Sequence, residues 1–592
     1  MVPGIPRAGL RRRVFVGTAL LLSLGLAGAG LAAPAASAAD ATSAVEKHRV
    51  DSVKTPKLDW FECAGTGIEC ATAKVPLDYD QPKGATVELA LIRVKARDQK
   101  HKIGSLFVNP GGPGGSAADF ALFADYWASD AMRDRFDIVG MDPRGIGYSD
   151  NVQCFRSFRD QQLAFAKFPG VAFPVTTAEN KAWPAYFKAL GKACSSSGKP
   201  LSAAMSTAQV ARDMDVMRRA VGDKKLSYLG FSYGSYLGEV YANMFPDRFR
   251  ALAIDGVIDP QGWVGTKATA NLYTYERVRS AEGSYRSLIE LLKRCDRAGG
   301  QLCSFAPGDP VKNFDLIAQR LKKKPLTETD PDTGEVFTFS YADMIANTLG
   351  LLYYTDGPAA IADMLSQLII LTEPPSNAKV RAASRTNAVK ALRASISRLD
   401  GKKGPIRAGF PYYNGDDSFY AVQCTDGAYA PKSADDWPAY GNAADKRVKY
   451  FGRALAAQGL TCATNTWTAT DEDAYRGPFD RATAKPVLVV GSLWDPITNY
   501  DSAVKVAKLM PNSRLLTSDN WGHTAQGTSA CVDNALDAYL VAGKLPAVGK
   551  KCIGDDQPFT EGSDLGEDAA SQPALVKAAR AAKGQPSPFG RG

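Results

Sequence analysis

One short stretch, Gly230-Phe231-Ser232-Tyr233-Gly234, limits what this chain can fold into more than any other. It follows Leu226-Ser227-Tyr228-Leu229, an apolar run that predicts a buried strand. It precedes Ser235-Tyr236-Leu237-Gly238-Glu239-Val240, which predicts the start of a helix. Strand, G-x-S-x-G, helix is the pattern of a nucleophile elbow. So sharp a turn holds its central serine in strained backbone geometry with the hydroxyl outward, and it tolerates only small residues two positions to either side. The bare pentapeptide also arises as a plain structural Gly-Ser turn. What surrounds it decides between the two readings.

Strands and helices alternate on both sides of this stretch. Residues 87–94 predict a strand with Val87, Leu89 and Leu91 on one face. Residues 105–108 predict a buried strand that runs into Asn109-Pro110-Gly111-Gly112-Pro113-Gly114-Gly115-Ser116. Residues 136–141 predict another, ending in Asp142-Pro143-Arg144-Gly145-Ile146-Gly147-Tyr148-Ser149. Residues 207–221 carry helical spacing, with Val210, Met214 and Met217 on one face. Residues 251–254, 486–491 and 513–516 complete the strands, and a last helix spans about 531–541. This order predicts an α/β fold, a mostly parallel sheet covered by helices on both faces. From about 263 to 410 helical signals dominate and the alternation lapses. Because it then resumes, the segment is expected to be an inserted helical cap rather than a second independent domain. The organisation expected is a signal peptide over 1–38, core over 39–262, cap over 263–415, core again over 416–560, and a flexible tail over 561–592. A short basic helix at 574–582 is the lesser alternative within that tail.

At 592 residues, with 45% apolar and 22% charged content, the chain has the composition of a large globular protein. Arg7, Arg11, Arg12 and Arg13 precede an apolar stretch over 14–31 and an A-x-A site at Ala36-Ser37-Ala38, the layout of an export signal. Arg12-Arg13 suits the twin-arginine route as well as the general secretory one. The net charge of +9 falls to +5 once those four arginines are removed. No basic block with interleaved aromatics is present, so a nucleic-acid groove is not expected. No later stretch is apolar enough to span a bilayer, so the mature form is expected to have no membrane contact. Ten cysteines, an even number in an exported chain, suggest disulfides. Pairing sequence neighbours is simplest: Cys63-Cys70, Cys154-Cys194, Cys295-Cys303, Cys424-Cys462 and Cys531-Cys552.

A serine hydroxyl needs a base to take its proton. Only three histidines exist. His48 and His101 lie in charged stretches that read as solvated surface. His523, in Trp521-Gly522-His523-Thr524, follows the last strand of the alternation, where sites form in open parallel sheets. The base needs a carboxylate to fix its tautomer. Asp495 follows the strand over 486–491, and Asp519 is the rival, too near His523 in sequence to come from a different strand end. The order Ser232, Asp495, His523 differs from the orders in chymotrypsin and subtilisin. An oxyanion hole would draw on the backbone N–H of Tyr233 and on the Gly111-Gly112 loop. Gly112-Pro113-Gly114-Gly115-Ser116-Ala117 also fits a loose dinucleotide pattern, but no strand-end acid stands clearly about twenty residues on. No cofactor is implied, and three scattered histidines with disulfide-like cysteines offer no metal cluster.

Taken together these motifs carry a family likeness. Pro110-Gly111-Gly112-Pro113-Gly114 matches the H-G-G-P-G loop of the prolyl-aminopeptidase branch of the α/β-hydrolases in all but its first residue. Asp142 to Ser149 matches that branch's D-x-R-G-x-G-x-S. The elbow, the Asp495 loop, Gly522-His523-Thr524, the cysteines and the long cap resemble the secreted bacterial tripeptidyl aminopeptidases more closely. The likeness covers about residues 60–559. It implies the α/β-hydrolase fold, with a TAP-like C-terminal region. It also implies a serine exopeptidase that releases short peptides, often tripeptides, from substrates with a free N-terminus. A carboxylate would then hold the substrate ammonium. Candidates are Asp426, Glu276 and Glu282, each of which is otherwise an ordinary structural or solvated acid. Tyr273, Tyr275, Tyr353 and Tyr354 are candidates to line the site under the cap, or else belong to the cap core. Asn109 stands where typical prolyl aminopeptidases have a loop histidine, which weakens any expectation of a preference for N-terminal proline. The competing readings are a carboxylesterase with the same triad and a non-catalytic surface or binding protein on a hydrolase scaffold.

Overall fold

The strands are β1 (Phe61–Glu62), β2 (Ile68–Pro76), β3 (Thr86–Val94), β4 (Gly104–Asn109), β5 (Phe136–Met141), β6 (Leu226–Phe231), β7 (Phe249–Asp255), β8 (Leu326–Thr329), β9 (Val336–Phe339), β10 (Val487–Trp494), β11 (Ser513–Trp521) and β12 (Lys551–Ile553). Ten of them build one sheet in the order β1-β2-β3-β5-β4-β6-β7-β10-β11-β12. This is a computed structural model, which describes residues 39–373, 378–397, 409–428, 430–561, 573–581 and 588. The export-signal reading of residues 1–38 lies outside the described residues. Every pairing from β5 across to β12 is parallel, and β1, β2 and β3 close one side antiparallel. β1, β2 and β12 are additions to the strands legible in the sequence.

The central strands are apolar because both faces are covered. All six residues of β6 are buried. Successive residues of β7 and β10 fall into different apolar clusters. Leu252, Ile254, Val487 and Val489 join one, and Ala251, Ala253, Leu488 and Val490 join the other. On the first face lie the helix Thr207–Ala220 and the elbow helix Tyr233–Met244. On the second lie Ala117–Leu122 and Ala530–Ala542. The Asp142 to Ser149 motif is scaffold. Asp142 accepts from Ser116 Oγ and from the backbone of Ala118 and Tyr148. The Arg144 guanidinium is fully buried, grips Asp213 with two nitrogens and reaches the carbonyls of Pro76, Leu77 and Ala204.

Between β7 and β10 the chain is largely helical, with two departures from expectation. The hairpin β8–β9 interrupts the helices. The helical run also does not stop at 415. Gly415–Asp426, Trp437–Arg447 and Phe451–Ala456 continue it to Cys462, and the sheet resumes only at Val487. A smaller helical insertion, Phe158–Phe165 and Thr177–Ser196, follows β5. The disulfides are Cys63–Cys70, Cys154–Cys194, Cys295–Cys303, Cys424–Cys462 and Cys531–Cys552. The expectation of a flexible tail is corrected over 573–581. Ala574–Ala581 is a helix whose Ala574 and Ala578, one turn apart, are buried in the cluster that holds Phe120 and Trp127. The segment is only eight residues long and follows a polar stretch, so sequence alone does not show that its apolar face has a partner to bury against. No described helix is long and apolar enough to cross a membrane.

Candidate active site

Five neighbouring parallel strands, β4, β6, β7, β10 and β11, end on one edge of the sheet and deliver the candidate residues from separate loops. Ser232 follows β6 at φ 55° and ψ −123°, positive-φ geometry for a non-glycine residue. Its N–H donates to Asp255 O at the end of β7, 3.0 Å. A Cβ on Gly230 would lie 2.2 Å from Gly234 O, which is why both ends of the turn lack side chains.

Asp495 and His523 are brought together from β10 and β11. His523 Nδ1 lies 2.9 Å from Asp495 Oδ2. The same oxygen accepts from Thr498 Oγ1 at 2.7 Å and Thr524 N–H at 3.1 Å, and Oδ1 accepts from the N–H groups of Ile497 and Thr498. Burial alone would raise the Asp495 carboxyl. The charge and ring hydrogen bond of His523, with the Thr498 and Ile497 donors, outweigh it and hold the group below the usual carboxylate range. Five donors on one buried carboxylate also fix which face it presents to the ring. Thr498 Oγ1 lies 3.3 Å from His523 Nδ1, and the Tyr353 ring meets the imidazole edge-on at 5.2 Å. His523 N–H donates to Tyr353 O, so the cap holds the histidine loop directly. His48 and His101 are exposed, and His101 pairs with Asp98. Asp519 accepts from Trp494 Nε1 and faces Arg294 rather than His523.

The glycine loop after β4 lies against the elbow. A Cβ on Gly111, at φ 95°, would meet Phe231 O at 2.5 Å and Tyr233 N at 2.8 Å. Gly111 N–H is committed to Asn109 Oδ1 at 2.9 Å. Of the two glycines named from sequence, only Gly112 therefore keeps an N–H with no partner among the described residues. Tyr233 opens its helix, so its N–H has no carbonyl one turn back. Asn109 is thus a brace: its side chain fixes the loop, and its backbone O lies where a Cβ on Gly234 would fall.

Ser232 and Gly112 line a small enclosed cavity of about 50 Å3 with Trp263, Tyr275, Tyr353 and Thr498. No carboxylate lines it among the described residues. The three acids named as ammonium partners lie elsewhere. Asp426 is buried beneath Tyr233 and accepts from Thr207 N, Thr207 Oγ1 and Trp263 Nε1. Burial pushes its carboxyl up to about 7 against the pull of the Thr207 and Trp263 donors. Glu276 caps its own helix turn at Tyr273 and pairs with Arg447, and Glu282 faces Arg279. Of the four tyrosines, Tyr275 and Tyr353 reach the cavity; Tyr273 packs on Tyr440, and Tyr354 lines a separate cleft. Thr498 and Trp263 were not singled out from sequence as neighbours of the serine and histidine. Only the Asp495-Pro496-Ile497-Thr498 spacing, a turn that caps its own acid, carried a signal.

A mostly parallel sheet that sets a strained Ser-containing elbow, an Asp and a His past the ends of separate strands along one edge defines an α/β-hydrolase. The alpha/beta hydrolase fold family matches residues 104–279, and the TAP-like protein family matches residues 448–552. The chain is 30% identical to the tripeptidyl aminopeptidase of Streptomyces lividans over 514 residues, 84% of this chain and 86% of that protein. It is 30% identical to serine protease Hip1 of Mycobacterium tuberculosis, covering 84% and 92%. It is 32% identical to carboxylesterase B of the same organism, covering 92% and 99%. The chain belongs to the tripeptidyl-aminopeptidase-like family of α/β-hydrolases.

Proposed function

We propose that the protein is an exported serine aminopeptidase that releases short peptides, three residues at a time, from substrates with a free N-terminus. The observation that carries this reading is a strained Ser232 lining a small cavity together with Thr498 and Tyr353, the two residues that also touch the buried Asp495–His523 pair. Ser232 Oγ attacks the scissile carbonyl while His523 Nε2 takes its proton. The oxyanion is held by the N–H groups of Tyr233 and Gly112, a type of contact worth about 10²–10³ in rate per donor. His523 then gives the proton to the leaving amine as the C–N bond breaks. Water, activated by the same nitrogen, cleaves the acyl ester. Asp495 fixes the tautomer and stabilises the imidazolium. The roof of Trp263, Tyr275 and Tyr353 favours chain ends over folded proteins. Export, by the general secretory or twin-arginine route, is supported by the five disulfides.

A carboxylesterase with the same three residues is the second reading. It is favoured by the likeness to a protein named carboxylesterase B and by a cavity with no carboxylate for an ammonium group. Peptide nitroanilides of two, three and four residues, each free and N-acetylated, separate the two alongside short acyl esters. The aminopeptidase reading expects turnover of the free tripeptide and a large loss on acetylation. Equal rates on free and acetylated forms, with faster ester cleavage, would replace it by the esterase.

A further inference from the structure

β7 lies between β6, which ends just before the serine, and β10, which leads to Asp495. Its last residue, Asp255, stands in register with Phe231 of β6 and Val490 of β10. Asp255 is fully buried and does not line the cavity at Ser232. Its carbonyl oxygen accepts from Ser232 N–H at 3.0 Å. Its carboxylate reaches the loop of the base. Oδ2 accepts from Ala525 N–H at 2.9 Å and from Gln526 N–H at 2.8 Å, and Oδ1 shares the Ala525 donor at 3.1 Å. Those two N–H groups are the only hydrogen-bond partners of its side chain among the described residues. One residue therefore holds the nucleophile through its backbone and the histidine loop through its side chain.

The histidine loop needs such an anchor. Thr524, between His523 and Ala525, is a β-branched residue at φ 74°, a conformation that persists only where the surroundings enforce it. Its own N–H donates to Asp495 Oδ2. Three successive N–H groups, those of residues 524–526, are thus taken up by two buried carboxylates, in the manner of a backbone nest around an anion. Gly256 completes the arrangement at φ 63°. A Cβ there would lie 2.8 Å from Thr524 Cγ2 and 3.2 Å from His523 Cε1, so the end of β7 lies close against the imidazole. A buried carboxylate held only by neutral donors is costly, and an apolar side chain at the end of β7 would avoid that cost. What the acid supplies is an acceptor for two buried N–H groups that have no other among the described residues.

We propose that Asp255 is a positioning residue for the reaction at Ser232, fixing the spacing between the elbow and the histidine loop so that His523 stands ready for the serine proton. This rests on the roles proposed above for Ser232 and His523. The test uses the full mature chain with a free tripeptide nitroanilide, a short acyl ester and a fluorophosphonate. Asp255→Ala should lower kcat about 100-fold on whichever substrate the wild type turns over, with KM within about twofold, because a base misplaced by about 1 Å costs that much in rate. Fluorophosphonate labelling of Ser232 should slow with it. Asp255→Asn, whose amide oxygen can still accept from both N–H groups, should recover about tenfold of the loss. Wild-type kcat in a folded Asp255→Ala, a loss carried by KM alone, or an Asp255→Asn no better than the alanine variant would overturn the inference and leave the reading of Ser232 and His523 in place. A wild type that neither turns over substrate nor takes the label would overturn that reading and the inference with it. Hydrogen exchange on the wild type keeps the test decisive even where Asp255→Ala fails to fold. Slow exchange at the Ala525 and Gln526 amides is expected, and exchange at the rate of an exposed loop would overturn the anchoring by Asp255.

Discussion

Ser232 sits in a backbone conformation that costs a non-glycine residue about 1–3 kcal/mol, and the surrounding contacts enforce it. The Ser232 N–H is tied to β7, Gly230 and Gly234 close on each other, and Gly111 leaves no room for relaxation toward the loop. Strain held this way presents the hydroxyl without any side-chain rearrangement. Ser232→Ala and His523→Ala should each abolish turnover, and Ser232→Ala should also lose fluorophosphonate labelling. Substantial turnover in both variants would sink the mechanism. Asp495→Asn should lower kcat by about 10⁴-fold with little change in KM, because an amide selects the wrong imidazole tautomer. A loss under about tenfold would point to another acid. Ser232, Asp495 and His523 were legible in sequence because each follows a recognisable strand. The ammonium candidates misled for a converse reason. An acid near a cysteine or a helix start looks the same in sequence whether it faces a cavity or, like Asp426, is sealed under Trp263 and Thr207.

The elbow helix Tyr233–Met244 carries a buried acid that the proposed chemistry does not use. Glu239 is 1% exposed, and neither of its oxygens has a partner among the described residues. Burial, then the negative charge of Asp259, pushes its carboxyl well above the ordinary glutamate range. A raised folded-state value means that its contribution to stability is fully present below about pH 4.5 and is lost as pH rises through the folded value. Glu239→Gln has no proton to lose. The variant should therefore gain on the wild type with rising pH, its Tm advantage widening by a few degrees between mildly acidic and alkaline buffer. A Tm difference that stays constant with pH would mean that the carboxyl titrates in the fold as it does in the unfolded chain, having found a donor. The elements legible in sequence were those with strong period or dense apolar runs, such as β6, β10 and the helix Thr207–Ala220. The edge strands β1 and β12, of two and three residues, carry too little pattern to be seen.

Across the whole molecule, the histidine loop is where cap, core and tail meet. Tyr353 O accepts from His523 N–H, and Gln526 O accepts from Ala574 N–H of the tail helix. Lys577 Nζ reaches Gly527 O, and the alanine face of that helix packs beside Phe120 and Trp127. A chain ended after residue 561 should show a lower Tm and a kcat reduced several-fold, since residues 523–528 lose the contacts the tail helix makes with Gln526 and Gly527. Unchanged Tm and kcat would make the helix incidental. The cap reaches the same loop through Tyr353, whose carbonyl holds the His523 N–H.

The sequence by itself determined the sheet class, the elbow, and the chain order of the serine, acid and base proposed here. Each of these rests on short-range physics: a period of two or 3.6, a turn that only small residues permit, and a residue type placed just past a strand. The tertiary structure alone decided that Gly111 spends its N–H on Asn109, so that of these two glycines Gly112 keeps an N–H with no partner among the described residues. It also decided that Asp426 is packed away from the cavity and that an apparently featureless tail folds back onto the core. Those outcomes depend on which partners distant segments meet, and burial and hydrogen-bond satisfaction are set by partners rather than by neighbours in sequence.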